Sequence, residues 1–564
     1  MKFHSLAPLL FASLGSLVAV ADDWPMWGGT VQRNMYSPAK DLPDRFDPGQ
    51  FKAGSDDVDL ATTKNVKWVG KLGSQSYGNT SVAGGKVFVG TNNDFPRDPQ
   101  HQGDRSILMC FDEQTGAFLW HLVVPKLKSG KVNDWENLGL LSSPTIEGNR
   151  VYLVTSRCEI ICLDTEGLAN GNDGPFTDEA SYFVKDTGRP PAKLGPHDAD
   201  IIWVYDMMDE LGVFPHNASN SSPLLLGDLV YVCTSNGQDW THVNIPSPLA
   251  PSFVAVNRLT GELAGEDNAG IGPRIYHGQW GSGGAGQVNG RWQVFFGGGD
   301  GVLYAFGAEP SKGTGAPIVP VLPGPPLANE EDPELDYLKK LWWFDCNPPE
   351  YKMRDGKPIR YPDPEGPSEI NSTPVFYKNR VYITIGQDPE HGEGVGRLVC
   401  VDATGTGDTT ATKLIWEYRG IHRSISTVSI DPTTGLLFVG DFSGFVHCLD
   451  AETGQVYWTY DMKAHMWGST LVADGKVYIG DEDGDFVVLA ATKGRPLPPE
   501  RVRPGAPPNA AEFISECNLG APIYSTPVVA NGVLYVGSNT HLYAFYDSAR
   551  AAARPDAPAP VSVK

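Results

Sequence analysis

The 43 residues from Thr427 to Ser469, TVSIDPTTGLLFVGDFSGFVHCLDAETGQVYWTYDMKAHMWGS, hold one complete copy of a pattern that fills most of the chain. A small polar residue opens a short apolar strand, and a Gly-containing turn leads to a second strand, LLFVG. FVHCLD reads as the third strand and VYWTY as the fourth, each with alternating faces and β-branched or aromatic bias. The second strand recurs as KVFVG from Lys86, RVYLV from Arg150, LVYVC from Leu229, RWQVFFG from Arg291, RVYIT from Arg380, KVYIG from Lys476 and VLYVG from Val533. The eight copies align with first strands starting at Thr80, Ser143, Ser222, Gly283, Thr373, Thr427, Thr470 and Thr526. A unit of about 40–50 residues cannot bury a hydrophobic face alone and suits one wedge of a ring. The pattern therefore predicts an all-β fold: an eight-bladed β-propeller of four-stranded antiparallel blades.

Two fourth strands share a further signature, CFDEQTGAFLW at 110–120 and CLDAETGQVYW at 448–458, with Asp, Thr-Gly and Trp at the same offsets. The Thr-Gly turn supplies a left-handed corner, and the Trp can lie flat between neighbouring blades. Trp203, Trp343 and Trp416 are predicted to end blades whose loops are longer. No outer strand follows the eighth third strand, whereas Trp68 in VKWVGKL precedes the first blade. An N-terminal strand is accordingly predicted to close the ring and remove the open sheet edge.

Residues 1–21 read as an export signal, with Lys2, an apolar run from Leu6 to Val20 and Ala19-Val20-Ala21 before Asp22. An extension follows over 22–67, the propeller over 68–547 and an Ala/Pro-rich, disordered tail over 548–564. Four segments interrupt the repeats: 94–105, 165–220, 307–337 and 493–516. The 165–220 insertion mixes aromatic and acidic residues and could cover one face as a lid, while 307–337 is Pro-rich and expected to be irregular. The formal net charge of −23 argues against nucleic acid and anionic lipid as partners. No second apolar run suggests a transmembrane anchor, and no C-x-x-C-H suggests covalent haem. A periplasmic or extracellular location follows, with a small molecule, a glycan or an exported protein as partner. Cys110, Cys162, Cys400 and Cys448 share one repeated slot that holds Ala255, Ala305 and Ala544 in other blades, so they read as small core residues. Pairing of Cys158, Cys233, Cys346 and Cys517 stays open.

Residues just before each first strand project toward one mouth of the channel. They are Asn79, Glu136 with Trp135, His216, Asn217 and Asn220, His277 and Trp280, Glu369 and Asn371, His422 and Arg423, His465 and Trp467, and Tyr524. Polar groups among flat aromatic faces are what an orienting small-ligand pocket needs. Each also has a structural reading: Asn79, Asn220 and Asn371 could cap strand starts, and Trp280 and Trp467 could pack between blades. His216, His277, His422 and His465 could share the pocket, but nothing in the sequence aims them at one metal centre.

The repeats, with the two Asp-x-x-Thr-Gly-x-x-x-Trp turns and WPMWGGTVQRNMYSP from Trp24, resemble the pyrroloquinoline-quinone-repeat propellers. That family includes quinoprotein alcohol dehydrogenases and non-enzymatic outer-membrane assembly scaffolds. ELGVFPHN from Glu210 and VNIPSPLAPSF from Val243 resemble segments of uncharacterised exported propellers of planctomycete-type bacteria. The dehydrogenase likeness implies a quinone on a Trp floor beneath two adjacent half-cystines, with Ca²⁺ on acidic and Asn side chains. Trp280 would then be the floor, Arg423 the quinone-carboxylate partner and Glu136 or Glu369 a metal carboxylate. This chain has no adjacent cysteines, Asn79 stands where an acidic residue is expected, and His216-Asn217 stand where an Asp is expected. The sequence thus favours a non-enzymatic exported propeller that binds a ligand at its mouth, with a quinone-dependent oxidoreductase of altered site as the alternative.

Overall fold

The computed structural model describes residues 22–319, 321, 329–391 and 394–551, so the expected export signal lies outside the described residues. Eight antiparallel sheets form the blades, each ordered first to fourth strand from the channel outward. Blade 6 comprises Ser429–Ile430, Leu436–Gly440, Phe445–Asp450 and Val456–Asp461. Blade 8 takes Val528–Ala530, Val533–Gly537 and His541–Phe545 from one end of the chain, and its fourth strand, Val66–Lys71, from the other. The ring is closed by antiparallel pairing, as the orphaned Trp68 predicted.

One device recurs between blades. The third and fourth strands carry a register shift at the Cys/Ala slot, where Cys110 pairs with Trp120, Cys162 with Trp203, Cys400 with Trp416, Cys448 with Trp458 and Ala544 with Trp68. Each of these indoles donates its Nε1 proton to a carbonyl of the next blade: Thr165, Arg258, Ala451, Thr492 and Glu113, at 2.8–3.1 Å. The rings lie on Gly167, Gly261, Gly454, Gly494 and Gly116, all at positive φ, where an added Cβ would come within 2.6–2.9 Å of the indole. Blade 4 departs from the expectation. Trp342, not Trp343, pairs with Ala305, and its Nε1 donates to Gln293 of its own blade, because blade 5 has a longer turn that lays Gly407–Asp408 along the strand instead.

Gly454→Ala is expected to destabilise the protein by about 2 kcal/mol or more, combining the left-handed backbone cost with displacement of Trp416. Gly435→Ala has a similar φ but open space around it, so urea unfolding should show only about 1 kcal/mol there. Equal losses at the two sites would contradict the indole contact.

The segment from Asp22 to Ser37 crosses from blade to blade on the channel side and bonds all eight, seven at or beside the first strand and blade 8 at the turn after it. Main-chain bonds join Trp24 to Val82, Pro25 to Ile146, Val31 to Ala285, Gln32 to Phe376 and Met35 to Val472, while Asn34 bonds Ile430 and Asp22 bonds Asn531. Arg33 is fully buried and donates to Trp27 O, Ser222 O, Pro223 O and Gly283 O. First strands are sheet edges, and this segment satisfies groups that would otherwise face the channel unpaired.

Above it runs a ring of ties. The backbone N–H of each strand start donates to the side chain of the next: Asn79 to Ser143, Ser143 to Ser222, Ser222 to Ser282, Thr373 to Thr427, Thr427 to Ser469, Ser469 to Thr526, and Thr526 to Asn79. At the remaining junction Trp27 Nε1 donates to Thr373 Oγ1 at 3.1 Å. The structural equivalents are therefore Asn79, Ser282 and Ser469, one residue before the expected Thr80, Gly283 and Thr470, a shift that reverses which side chain faces the axis.

Strand direction decides where insertions go. First strands run away from the mouth, so second-to-third turns and fourth-to-first connections open at the mouth, and third-to-fourth turns open at the far end. Residues 165–200 join the third and fourth strands of blade 2, Glu159–Asp164 and Ile201–Asp206; they leave at the far end but run beside blades 1 and 2 to mouth-end turns, where Tyr182 and Lys185 donate to Glu159, Arg157 donates to Asp186 and Arg189 donates to Gln100 O. The stretch after Asp206 leads to the pocket itself, where Asn217 and Asn220 are part of the lining. Within segment 307–337, Ser311–Lys312 and Asp336–Leu338 extend blade 3, whose fourth strand has Gly265 at the position that holds Trp in six other blades. Glu331, buried there, accepts from Lys339, Asn268 and Thr314. All eight cysteines are free thiols, seven of them buried. Ser548–Ala551 form a helical turn, and the rest of the expected disordered tail lies outside the described residues. Among the described residues no helix is long and apolar enough to cross a membrane.

Candidate functional site

A pocket of about 580 Å³ opens at the mouth. Its base is the ring of ties together with Trp27 from the crossing segment. Ten of the sequence-derived residues line it: Asn79, Trp135, Glu136, Asn217, Asn220, His277, Trp280, Asn371, Trp467 and Tyr524.

One wall is aromatic. Tyr77 stacks on Tyr524 with centroids 4.7 Å apart, and Trp467 lies 5.2 Å from Tyr524, backed by Phe442. The opposite wall holds Trp280, whose Nε1 donates to His216 O, and Trp135, whose outer face is covered by the Lys131 ammonium at 3.6 Å. Trp135 and Asn217 are fixed to each other's loops by Trp135 N to Asn217 O and Asn217 N to Val132 O, both 2.7 Å.

Between these faces the polar atoms are unevenly satisfied. Asn79 is fully engaged in the ring of ties, as its capping reading expected. In contrast, the side-chain carbonyl oxygens of Gln75, Asn220 and Asn371 are buried and accept no hydrogen bond, although all three residues line the pocket. An orphaned buried acceptor costs about 1–3 kcal/mol, so three around one lining mark where donors from a ligand would be accommodated. The lining contains Glu136, Asp388 and Glu390 but no Lys or Arg.

Five expected members stand outside the lining: Arg423, His465, His422, Glu369 and His216. Arg423 is buried, donates to Asp388 O and lies 4.5 Å from the Phe442 ring. His465 stacks on Phe442 behind Trp467. His422 belongs with the blade 6 turn, its Nδ1 on Asp441, which also receives His447. The four mouth histidines therefore do not share one cavity. Glu369 sits behind the wall, accepting from Asn371 Nδ2 and Gly278 N; burial and the nearby Asp388 charge push its carboxyl well above the usual range.

His216 and His277 do meet, Nε2 to Nε2 at 2.8 Å, and two histidines the sequence did not single out join them, His242 and His391. Asp388 completes the group, with His391 Nδ1 at 2.9 Å, His277 Nδ1 at 3.2 Å and the Tyr361 hydroxyl bonded to it. Burial alone would raise the Asp388 carboxyl, but these bonds outweigh it and hold it below the usual range. His242, Asp388 and His391 were missed because they stand on second-to-third turns, which open at the same end as the fourth-to-first connections. The signal was present in the lengthened loops after Cys233 and Ile385.

Residues 66–312 and 432–497, more than half of the chain, match the pyrroloquinoline-quinone-repeat family described as outer membrane protein assembly factor BamB. No curated protein sequence matches. Among solved structures, a quinohemoprotein alcohol dehydrogenase from Pseudomonas putida HK5 is 12% identical, with 96% of this chain and 82% of that chain covered and a TM-score of 0.53. A europium-containing methanol dehydrogenase is 12% identical, covering 96% and 93%, with a TM-score of 0.51. BamB from Moraxella catarrhalis is 13% identical, covering 85% and 99%, at 0.48. At these identities the likeness to the two dehydrogenases is one of fold alone.

Proposed function

The chain belongs to the pyrroloquinoline-quinone-repeat family described as outer membrane protein assembly factor BamB, and on that premise we propose that it is an exported propeller that binds a neutral, hydroxyl-rich ligand, such as the end of a glycan, at its mouth. The observation that carries this reading is the trio of unpaired carbonyl oxygens on Gln75, Asn220 and Asn371 between aromatic walls. Hydroxyl donors satisfy such acceptors, and the apolar faces of a sugar ring pack on Trp and Tyr.

The quinone implied by the dehydrogenase likeness fits this wall poorly. It is a flat tricarboxylate and needs cations, whereas the lining offers three carboxylates and no Lys or Arg. Arg423, its expected partner, lies outside the lining. Of the two carboxylates expected to hold the Ca²⁺ implied with it, Glu369 lies outside the lining with its oxygens already accepting from Asn371 Nδ2 and Gly278 N.

Titration of the full chain with neutral oligosaccharides, followed by Trp emission and calorimetry, should give saturable binding. Trp467→Ala should weaken it about tenfold through loss of a stacking face. Saturation by the quinone with no response to any sugar would reject the proposal.

A further inference from the structure

His216, His242 and His277 come from three separate loops, yet each places a ring nitrogen within 4.8 Å of the others at the edge of the pocket. His216 Nδ1 lies 2.6 Å from Gln238 O, and a carbonyl can only accept, so the ring proton is on Nδ1 and Nε2 carries a lone pair. That lone pair faces His277 Nε2. The far nitrogen of His277 is backed by Asp388, itself fixed by His391 and Tyr361. His242 sits on an exposed turn held by Asp239, which accepts from Thr241 N and donates its own N–H to Asn244 O. Its ring stands edge-on to both His216 and His277, with centroids 5.2 and 5.0 Å away.

We propose that His216, His242 and His277 bind one divalent transition-metal ion of the zinc class, with Gln238 O and Asp388 orienting two of the rings from behind. Imidazoles converging by one nitrogen while a carbonyl or carboxylate engages the other have the arrangement that fixes metal-ligating histidines. Three nitrogen ligands suit a borderline ion and leave a further position for water or a pocket ligand. A second grouping, His277, Asp388 and His391, is the weaker candidate because both of its imidazoles already turn Nδ1 toward the carboxylate that would have to serve as ligand. The metal site stands independently of the glycan reading.

Full-length protein without an affinity tag, stripped with a chelator, is titrated with Zn²⁺ by calorimetry and with Co²⁺ by visible absorption. One equivalent should bind. His242→Ala removes an exposed ligand without disturbing the core and should weaken binding about 100-fold or more, while Asp388→Asn should cost about 10- to 100-fold. His422→Ala and His465→Ala should bind like the parent. Absence of stoichiometric binding overturns the proposal, as does binding that survives His242→Ala but is lost in His391→Ala.

Discussion

Arg33→Ala is expected to lower the stability of the propeller by about 4 kcal/mol or more. The guanidinium is fully buried, and its four carbonyl acceptors belong to the crossing segment and to blades 3 and 4. Burial lowers it to about 9, so it remains charged at neutral pH and no deprotonation relieves the site. Truncation would leave Trp27 O, Ser222 O, Pro223 O and Gly283 O short of a donor inside the protein. Each such group costs about 1–3 kcal/mol, reduced where water can enter. Arg33→Lys should recover only part of the loss, since one ammonium cannot span acceptors arranged around a planar fork. The measurement is the urea midpoint of both variants against the parent. A loss below about 1 kcal/mol for the alanine variant would mean the segment is not pinned by this residue. Because Trp27 forms the pocket base, the same variant should also lose ligand response.

Trp68→Ala is expected to cost about 3–5 kcal/mol, the range for truncating a buried Trp. Its position makes the consequence global. The indole is 3% exposed, donates to Glu113 O and covers Gly116, so it fastens the strand that completes blade 8 onto blade 1. Loosening it frees Val66–Lys71 and exposes His541–Phe545 as a long apolar edge, a template for association with other chains. Thermal unfolding combined with size-exclusion chromatography should show a lowered midpoint and concentration-dependent aggregation. Trp240→Ala, at a position 65% exposed, is the control and should change neither. Equal behaviour of the two variants would show that the ring is not closed through Trp68.

The fold was legible because the sequence states it repeatedly. Eight copies of a two-residue alternation, with Gly at left-handed corners and Trp at a fixed offset, leave one way to bury the apolar faces. Lone features were harder to read. Trp342 and Trp343 are adjacent and chemically alike, and only the register shift at Ala305 selects Trp342. Gln75 was unremarkable as a residue, and its unpaired oxygen is visible only when neighbours are in place.

By itself the sequence determined the blade count, the closing strand, the small core slot for cysteine and the end of the ring where the pocket opens, because these follow from periodicity and from strand order. The tertiary structure alone decided which mouth residues act together. His422 and His465 turn to Asp441 and Phe442, whereas His216 and His277 meet His242 and His391 from loops far away in the chain. The physical reason is that repetition fixes where a loop leaves the ring. The direction of each side chain is set by hydrogen bonds and packing between loops of different blades, and no local pattern encodes those.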